Sequence, residues 1–80
     1  MTLAETAELL AIAAGIDQRT IGDADVHAWQ MVLHDIPFAN AATALQAHYR
    51  STNRRIMPSD IVQRVKPDTG YETYAEKGIF

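Results

Sequence analysis

Large apolar side chains recur at helical spacing through the middle of the chain. Before Pro37 they fall three or four residues apart, and after it a second stripe of the same period begins. The first stripe is Val26, Trp29, Leu33 and Ile36, and the second is Phe38, Ala41, Ala42, Leu45, His48 and Tyr49. The pattern predicts two antiparallel amphipathic helices that meet at a corner around Pro37 and bury these faces against each other.

The first helix is predicted from about Leu3 to Ala14. Thr2 and Glu5 have the spacing of a capping box, and Gly15 is the expected C-terminal stop. The expected core face is Leu3, Ala7, Leu10, Ala11 and Ala14, and a second apolar strip is Leu9, Ile12 and Ile16. A helix with two apolar faces is either covered by a loop or the tail, or it binds a partner.

The second helix is expected to begin near Asp23, whose carboxylate can cap it, with Thr20 as an alternative cap. Asp25 then lies at the positive end of the helix dipole. The helix is predicted to end at Ile36, because the proline at position 37 disfavours helical geometry in the residue before it.

A third helix is predicted from Pro37 or Phe38 to about Arg50, and a short fourth helix from Pro58 to Val65. The fold class is therefore all-α: a compact four-helix bundle with a short last helix in residues 1–66, followed by a flexible C-terminal tail in residues 67–80. The expected core is Trp29, Leu33, Phe38, Leu45, Tyr49, Ile61 and Val65.

Composition limits the possibilities further. Eighty residues make one small domain, and thirteen of its apolar residues are alanines, so large core side chains are few. The absence of cysteine excludes disulfides and cysteine zinc sites. The longest apolar run, residues 9–16, is far shorter than the ~20 residues of a membrane span. A soluble intracellular protein without a membrane segment is therefore predicted.

Charge is distributed unevenly around a net value of −3. Residues 1–47 hold six acids and one base, residues 48–66 hold five bases and one acid, and residues 67–80 hold three acids and one base. The basic band consists of Arg50, Arg54, Arg55, Arg64 and Lys66, accompanied by His48 and Tyr49. Such a band suits the phosphates of a nucleic acid, and its arginines suit carboxylates of a protein partner equally well.

No constellation of residues points to catalysis. His27 and His34 lie two helical turns apart, too far to share one metal ion, and neither serine lies in a nucleophile-elbow context. The glycines are isolated and form no phosphate loop. An enzyme, a metal and a cofactor are therefore not expected.

The order of short motifs resembles the small phage-type replicative-helicase loader/inhibitor family. The resemblance covers residues 3 to about 65. Its motifs are Asp17-Gln18-Arg19, Asp25 with Trp29, Leu33-His34-Asp35-Ile36-Pro37-Phe38, Ala44-Leu45, His48-Tyr49 and Ile56-Met57-Pro58-Ser59-Asp60-Ile61. The family has a compact all-helical domain with a Trp-x-x-x-Leu helix, an Asp-x-Pro corner and a proline-started last helix.

The resemblance implies a non-enzymatic adaptor that binds a hexameric DnaB-type replicative helicase, restrains its ATPase and hands it to an origin-bound initiator protein. The residues expected to contact the partner are Leu9, Ile12, Ile16, Arg54, Arg55, Tyr71, Tyr74, Ile79 and Phe80. The alternative is a small DNA-binding regulator that uses the basic band. A third possibility is a dimerisation module that buries the second strip of the first helix against its own copy.

Overall fold

The computed structural model describes residues 1–66, which form four helices and contain no strand. The helices are α1 (Leu3–Asp17), α2 (Asp23–Leu33), α3 (Phe38–Ser51) and α4 (Pro58–Val65). The predicted all-α fold with a short last helix is confirmed. None of these four helices is long and apolar enough to cross a membrane. The tail predicted for residues 67–80 lies outside the described residues.

The start of α1 follows the predicted capping chemistry, whereas the predicted caps of α2, Asp23 and Thr20, were wrong. The amide of Glu5 donates to the Thr2 hydroxyl (3.1 Å), and the amide of Thr2 donates to the Glu5 carboxylate (2.9 Å), which completes the capping box of α1. Helix α2 begins at Asp23 as expected, but its N-cap is Gly22. The Gly22 amide donates to the carboxylate of Asp25 at 2.8 Å, so the side chain that serves this helix start lies inside the first turn.

The end of α1 differs from the prediction. Gly15 lies inside the helix, which continues to Asp17. Gln18 supplies the stop: its φ of 65° is left-handed, and its amide donates to the carbonyl of Ala14 at 2.9 Å. The predicted stop at Gly15 was wrong because a glycine within a helix costs only about 1 kcal/mol, which the packing of α1 can outweigh.

Helix α2 ends at Leu33, one turn before the predicted end, and Ile36 lies buried in the turn that follows. The Ile36 amide donates to the Leu33 carbonyl at 3.0 Å. The ammonium of Met1 donates to the carbonyls of Leu33 (3.4 Å), His34 (3.0 Å) and Ile36 (2.9 Å). A positive charge therefore lies at the negative end of the α2 dipole and ties the start of α1 to the corner before α3.

The core lies where all four helices meet, since α1 packs on α2 and α3, and α4 packs on the same two helices. Four of the predicted core residues are buried, namely Trp29, Leu33, Leu45 and Ile61. The other three, Phe38, Tyr49 and Val65, are partly buried against them. The core also contains Leu9, Leu10, Ala13, Ile36, Ala41, Ala44 and Ile56.

The core face of α1 is not the predicted one. It consists of Thr6, Leu9, Leu10 and Ala13. Leu9, expected on the second apolar strip, is fully buried, and Leu10 is buried as predicted. The predicted core residues Leu3, Ala7 and Ala11 are exposed. Thr6 is buried because its hydroxyl donates to the carbonyl of Thr2 at 2.8 Å, which satisfies the polar group inside the helix. Because alanines lie on both sides of α1, the hydrophobic pattern of the sequence did not identify which face is buried.

Candidate partner-binding surface

One side of α1 is exposed and almost entirely apolar. Eight of its residues are exposed, and seven of these carry no polar side-chain atom. The exposed residues are Leu3, Ala4, Ala7, Glu8, Ala11, Ile12, Gly15 and Ile16, here called the α1 face. The large members Leu3, Ile12 and Ile16 are 42%, 41% and 50% exposed. Continuous apolar surface of this kind typically marks an interaction site.

Small residues occupy the middle of the α1 face. At 100° per residue, Ala4, Ala11 and Gly15 fall within a narrow arc, and Glu8 lies directly beside it, between the arc and the isoleucines at one edge of the face. Glu8 is the single charged residue of the face and makes no hydrogen bond or ion pair with residues 1–66. The face therefore combines a shallow centre, large apolar edges and one uncompensated negative charge.

A buried polar network joins the loop after α1 to α3 and to the loop before α4. Arg19 donates to the Asp17 carboxylate through Nε (3.0 Å) and Nη2 (2.6 Å), and it also donates to the Ile56 carbonyl at 2.7 Å. The Tyr49 hydroxyl donates to Asp17 at 2.6 Å and accepts the Ile56 amide at 2.9 Å. The Arg19 guanidinium lies 5.1 Å from the centre of the Trp29 ring, within cation–π range.

The network shifts the ionisation of its members. The hydrogen bonds from Arg19 lower the pKa of Asp17 to about 2, with Tyr49 contributing and burial opposing. The hydrogen bond to Asp17 raises the pKa of Arg19. Burial, and then the bond to Asp17, raises the pKa of Tyr49. The carboxylate and guanidinium therefore stay charged and the phenol stays neutral across the physiological range.

The loop of residues 52–57 is anchored through its backbone. His48, which is 3% exposed, places Nε2 at 2.7 Å from the Arg54 carbonyl, so this nitrogen carries the proton that is donated. Arg55 reaches the carbonyl of Asp17 with a long 3.5 Å contact. Both arginines of the loop are exposed. The chain therefore presents Arg54 and Arg55, two of the predicted contact residues, on a fixed backbone.

The predicted basic band divides in the structure. His48 and Tyr49 are turned into the protein and do not belong to its surface. Lys66 forms an ion pair with Asp35, and this pair lowers the pKa of the Asp35 carboxyl. Arg50 is exposed on α3. Arg54 and Arg64 both line a cleft of about 460 Å³. Its other lining residues are His48, Ser51, Thr52, Asp60 and Gln63.

The two histidines of α2 and its following turn are exposed. His27 contacts the Asp23 carbonyl (2.9 Å) and His34 the Met31 carbonyl (3.1 Å). Residues 1–66 contain no group of three or more side chains placed to hold a metal ion.

Sequence reasoning missed the buried network, although Asp17 and Arg19 were part of the motif order behind the family resemblance. An acid and a base two residues apart, directly after a helix, were the available signal. Nothing in the sequence indicated that Tyr49, on another helix, would join them. The predicted contact residues Tyr71, Tyr74, Ile79 and Phe80 lie outside the described residues.

No family model, no curated protein and no solved structure matches the chain. The class of protein is therefore inferred from the surfaces described above and from the motif order of the sequence. Of these surfaces, the α1 face is apolar, and the loop with Arg54 and Arg55 is positively charged.

Proposed function

We propose that the protein is a non-enzymatic adaptor of phage or prophage DNA replication, acting in the cytoplasm of the bacterial host. It binds a hexameric DnaB-type replicative helicase, controls its loading and ATPase activity, and hands it to an initiator protein. The motif order from Asp17 to Ile61 supports the choice of partner. The observation that carries a protein-binding role is the α1 face, whose seven apolar residues would be buried by a partner.

The α1 face and the loop with Arg54 and Arg55 would contribute to binding in different ways. Burying the large side chains of Ile12 and Ile16 supplies affinity, because removing apolar area from water contributes roughly 25 cal/mol per Å². Arg54 and Arg55 set orientation and encounter rate, since exposed charges steer association more than they tighten it. Binding through Ile12 and Ile16 should therefore depend little on salt, and the association rate should depend on it strongly.

The test is size-exclusion chromatography with light scattering on the protein, the host helicase and their mixture, with the helicase ATPase followed in parallel. Co-elution with a changed ATPase rate is expected. Reversing both charges in Arg54→Glu with Arg55→Glu should slow association at low salt without unfolding the protein. Gln46→Glu, an exposed change on α3, is the matched control. A helicase that neither co-elutes nor changes its ATPase rate would contradict the proposal.

A second candidate, a small DNA-binding regulator, is favoured by one observation. Arg54 and Arg64 line the same cleft, so two positive charges from different elements converge there. Duplex affinity that falls steeply with salt, and that is lost when Arg50, Arg54, Arg55 and Arg64 are neutralised, would support this candidate. An affinity for duplex DNA that does not depend on these arginines would exclude the DNA-binding candidate.

A further inference from the structure

We infer that the α1 face receives one amphipathic helix of a protein partner, with a lysine or arginine of that helix opposite Glu8. The inference rests on the proposed adaptor role and adds the chemistry of the segment that is bound. It corrects the sequence-predicted contact strip by removing Leu9, which is buried, and keeping Ile12 and Ile16.

The shape of the face favours a helix as the occupant. Helices pack with their axes 8–10 Å apart, and the closest approach requires small side chains at the contact. Ala4, Ala11 and Gly15 provide such a line over most of the length of α1. Leu3 lies on one side of the line, and Glu8 and then Ile12 lie on the other. Fifteen residues make α1 about 22 Å long, enough for four turns of an incoming helix.

Charge decides what that helix carries. Glu8 is the single charge of the face and has no partner within residues 1–66. A basic residue on the incoming helix would compensate Glu8 within an otherwise apolar contact, where a partly desolvated pair is stronger than one in water.

The same charges argue against the two occupants that the chain itself could supply. An antiparallel pair of α1 helices would bring the Glu8 residues of two molecules near each other, and each molecule has a net charge of −3. Residues 67–80 hold Asp68, Glu72 and Glu76 against Lys77 alone, so this segment is acidic too. Like charges at close range disfavour both arrangements.

The test uses two synthetic helical peptides with the same apolar face of leucine and alanine, one flanked by lysines and the other by glutamates. Each is titrated into the full chain while the amide NMR signals are followed. The lysine peptide should shift the signals of the α1 face and bind about tenfold more tightly than the glutamate peptide, an energy of about 1.4 kcal/mol. Glu8→Gln should reduce the difference in affinity between the two peptides.

Ala11→Leu tests the shape of the face. The larger side chain fills its centre, so the lysine peptide should bind at least about tenfold more weakly although apolar area has been added. Ala28→Leu places the same change on an exposed position of α2 and should leave binding unchanged. Equal affinity for both peptides, no binding of either, or no effect of Ala11→Leu would overturn the inference.

Two further outcomes would assign the face to another occupant and overturn the inference. One is a dimer in light scattering that Ile12→Glu dissociates. The other uses the absence of cysteine, which allows one spin label to be attached through Tyr74→Cys. Strong broadening of the Ile12 and Ile16 amides by that label would place the chain's own segment on the face.

Failure of the inference can be told apart from failure of the proposed function. If the helicase binds and Ala11→Leu leaves its affinity unchanged, the adaptor role stands and the inferred contact fails. If the lysine peptide binds as expected and the helicase does not, the inferred surface stands and the proposed partner fails.

Discussion

The Tyr49 hydroxyl connects α3 to two other parts of the chain at once. It donates to the Asp17 carboxylate at 2.6 Å and accepts the Ile56 amide at 2.9 Å. Asp17 ends α1, and Ile56 precedes α4. One oxygen atom therefore fixes the end of the first helix and the loop before the last relative to the third.

Tyr49→Phe should destabilise the protein by about 1–3 kcal/mol. The substitution keeps the ring and leaves the amide of Ile56, a fully buried residue, without an acceptor. Urea unfolding followed by Trp29 fluorescence measures the change. Thr43→Val is the control, because it also removes one hydroxyl, but from an exposed position of α3. Equal effects of the two substitutions would contradict a special role for the Tyr49 hydroxyl.

Stability should fall as the pH drops from about 4 to about 2, by roughly 2 kcal/mol from Asp17 alone. The pKa of Asp17 is about 2 in the folded protein, so its carboxylate stabilises the fold above the unfolded value of 3.8, and this contribution is lost in acid. Asp17→Asn should lower stability at neutral pH and flatten the acid limb of the profile.

Asp35→Asn serves as the control for that acid profile. The pKa of Asp35 is also lowered, by Lys66, but its side chain is 50% exposed and the ion pair is expected to contribute little. The profile of this variant should therefore follow that of the unmodified protein. An Asp17→Asn profile that keeps the full acid slope would show that other carboxyls produce it.

Gly15→Ala should stabilise the protein by about 0.5–1 kcal/mol. Gly15 is exposed within α1, and an added Cβ meets no atom within 4 Å, so the gain in helix propensity is not offset by a clash. Gly22→Ala should have the opposite sign, because alanine is a poor N-cap. Thermal unfolding of both variants checks the pair. Destabilisation by Gly15→Ala would restore the interpretation of Gly15 as a helix stop.

Ile61→Val should destabilise the protein by about 0.5–1.5 kcal/mol. Ile61 is fully buried and is the residue through which α4 enters the core. Val62→Ala, at a partly buried neighbouring position, should have a smaller effect for each methyl group removed. Chemical unfolding gives both values. If Ile61→Val destabilises the protein less, for each methyl group removed, than Val62→Ala does, α4 is held mainly by the loop that precedes it.

The helices could be predicted because their signals are local. Pro37 and Pro58 mark helix starts by the geometry of their rings, and the capping box of Thr2 and Glu5 needs only four consecutive residues. The stripe containing Trp29 and Leu33 was assigned to the correct face because its side chains are large and recur at helical spacing.

Neither the buried face of α1 nor the buried network could be predicted, and the reason differs between the two. Alanines surround α1, and the burial of Thr6 depends on a hydrogen bond to its own helix, so hydrophobicity did not distinguish the faces. The network depends on Tyr49 meeting Asp17 in three dimensions, which no spacing along the chain encodes.

The buried network also bears on how long a folded molecule survives. Its bonds join residues far apart in the chain: Asp17 with Tyr49, 32 positions away, and Arg19 with Ile56, 37 positions away. Closing such long loops takes conformational entropy, so we expect these bonds to form after the folding transition state, once neighbouring helices have paired. Tyr49→Phe should then accelerate unfolding and leave the folding rate nearly unchanged in stopped-flow experiments. The network would thereby lower the unfolding rate and lengthen the lifetime of the native state, without raising the folding rate.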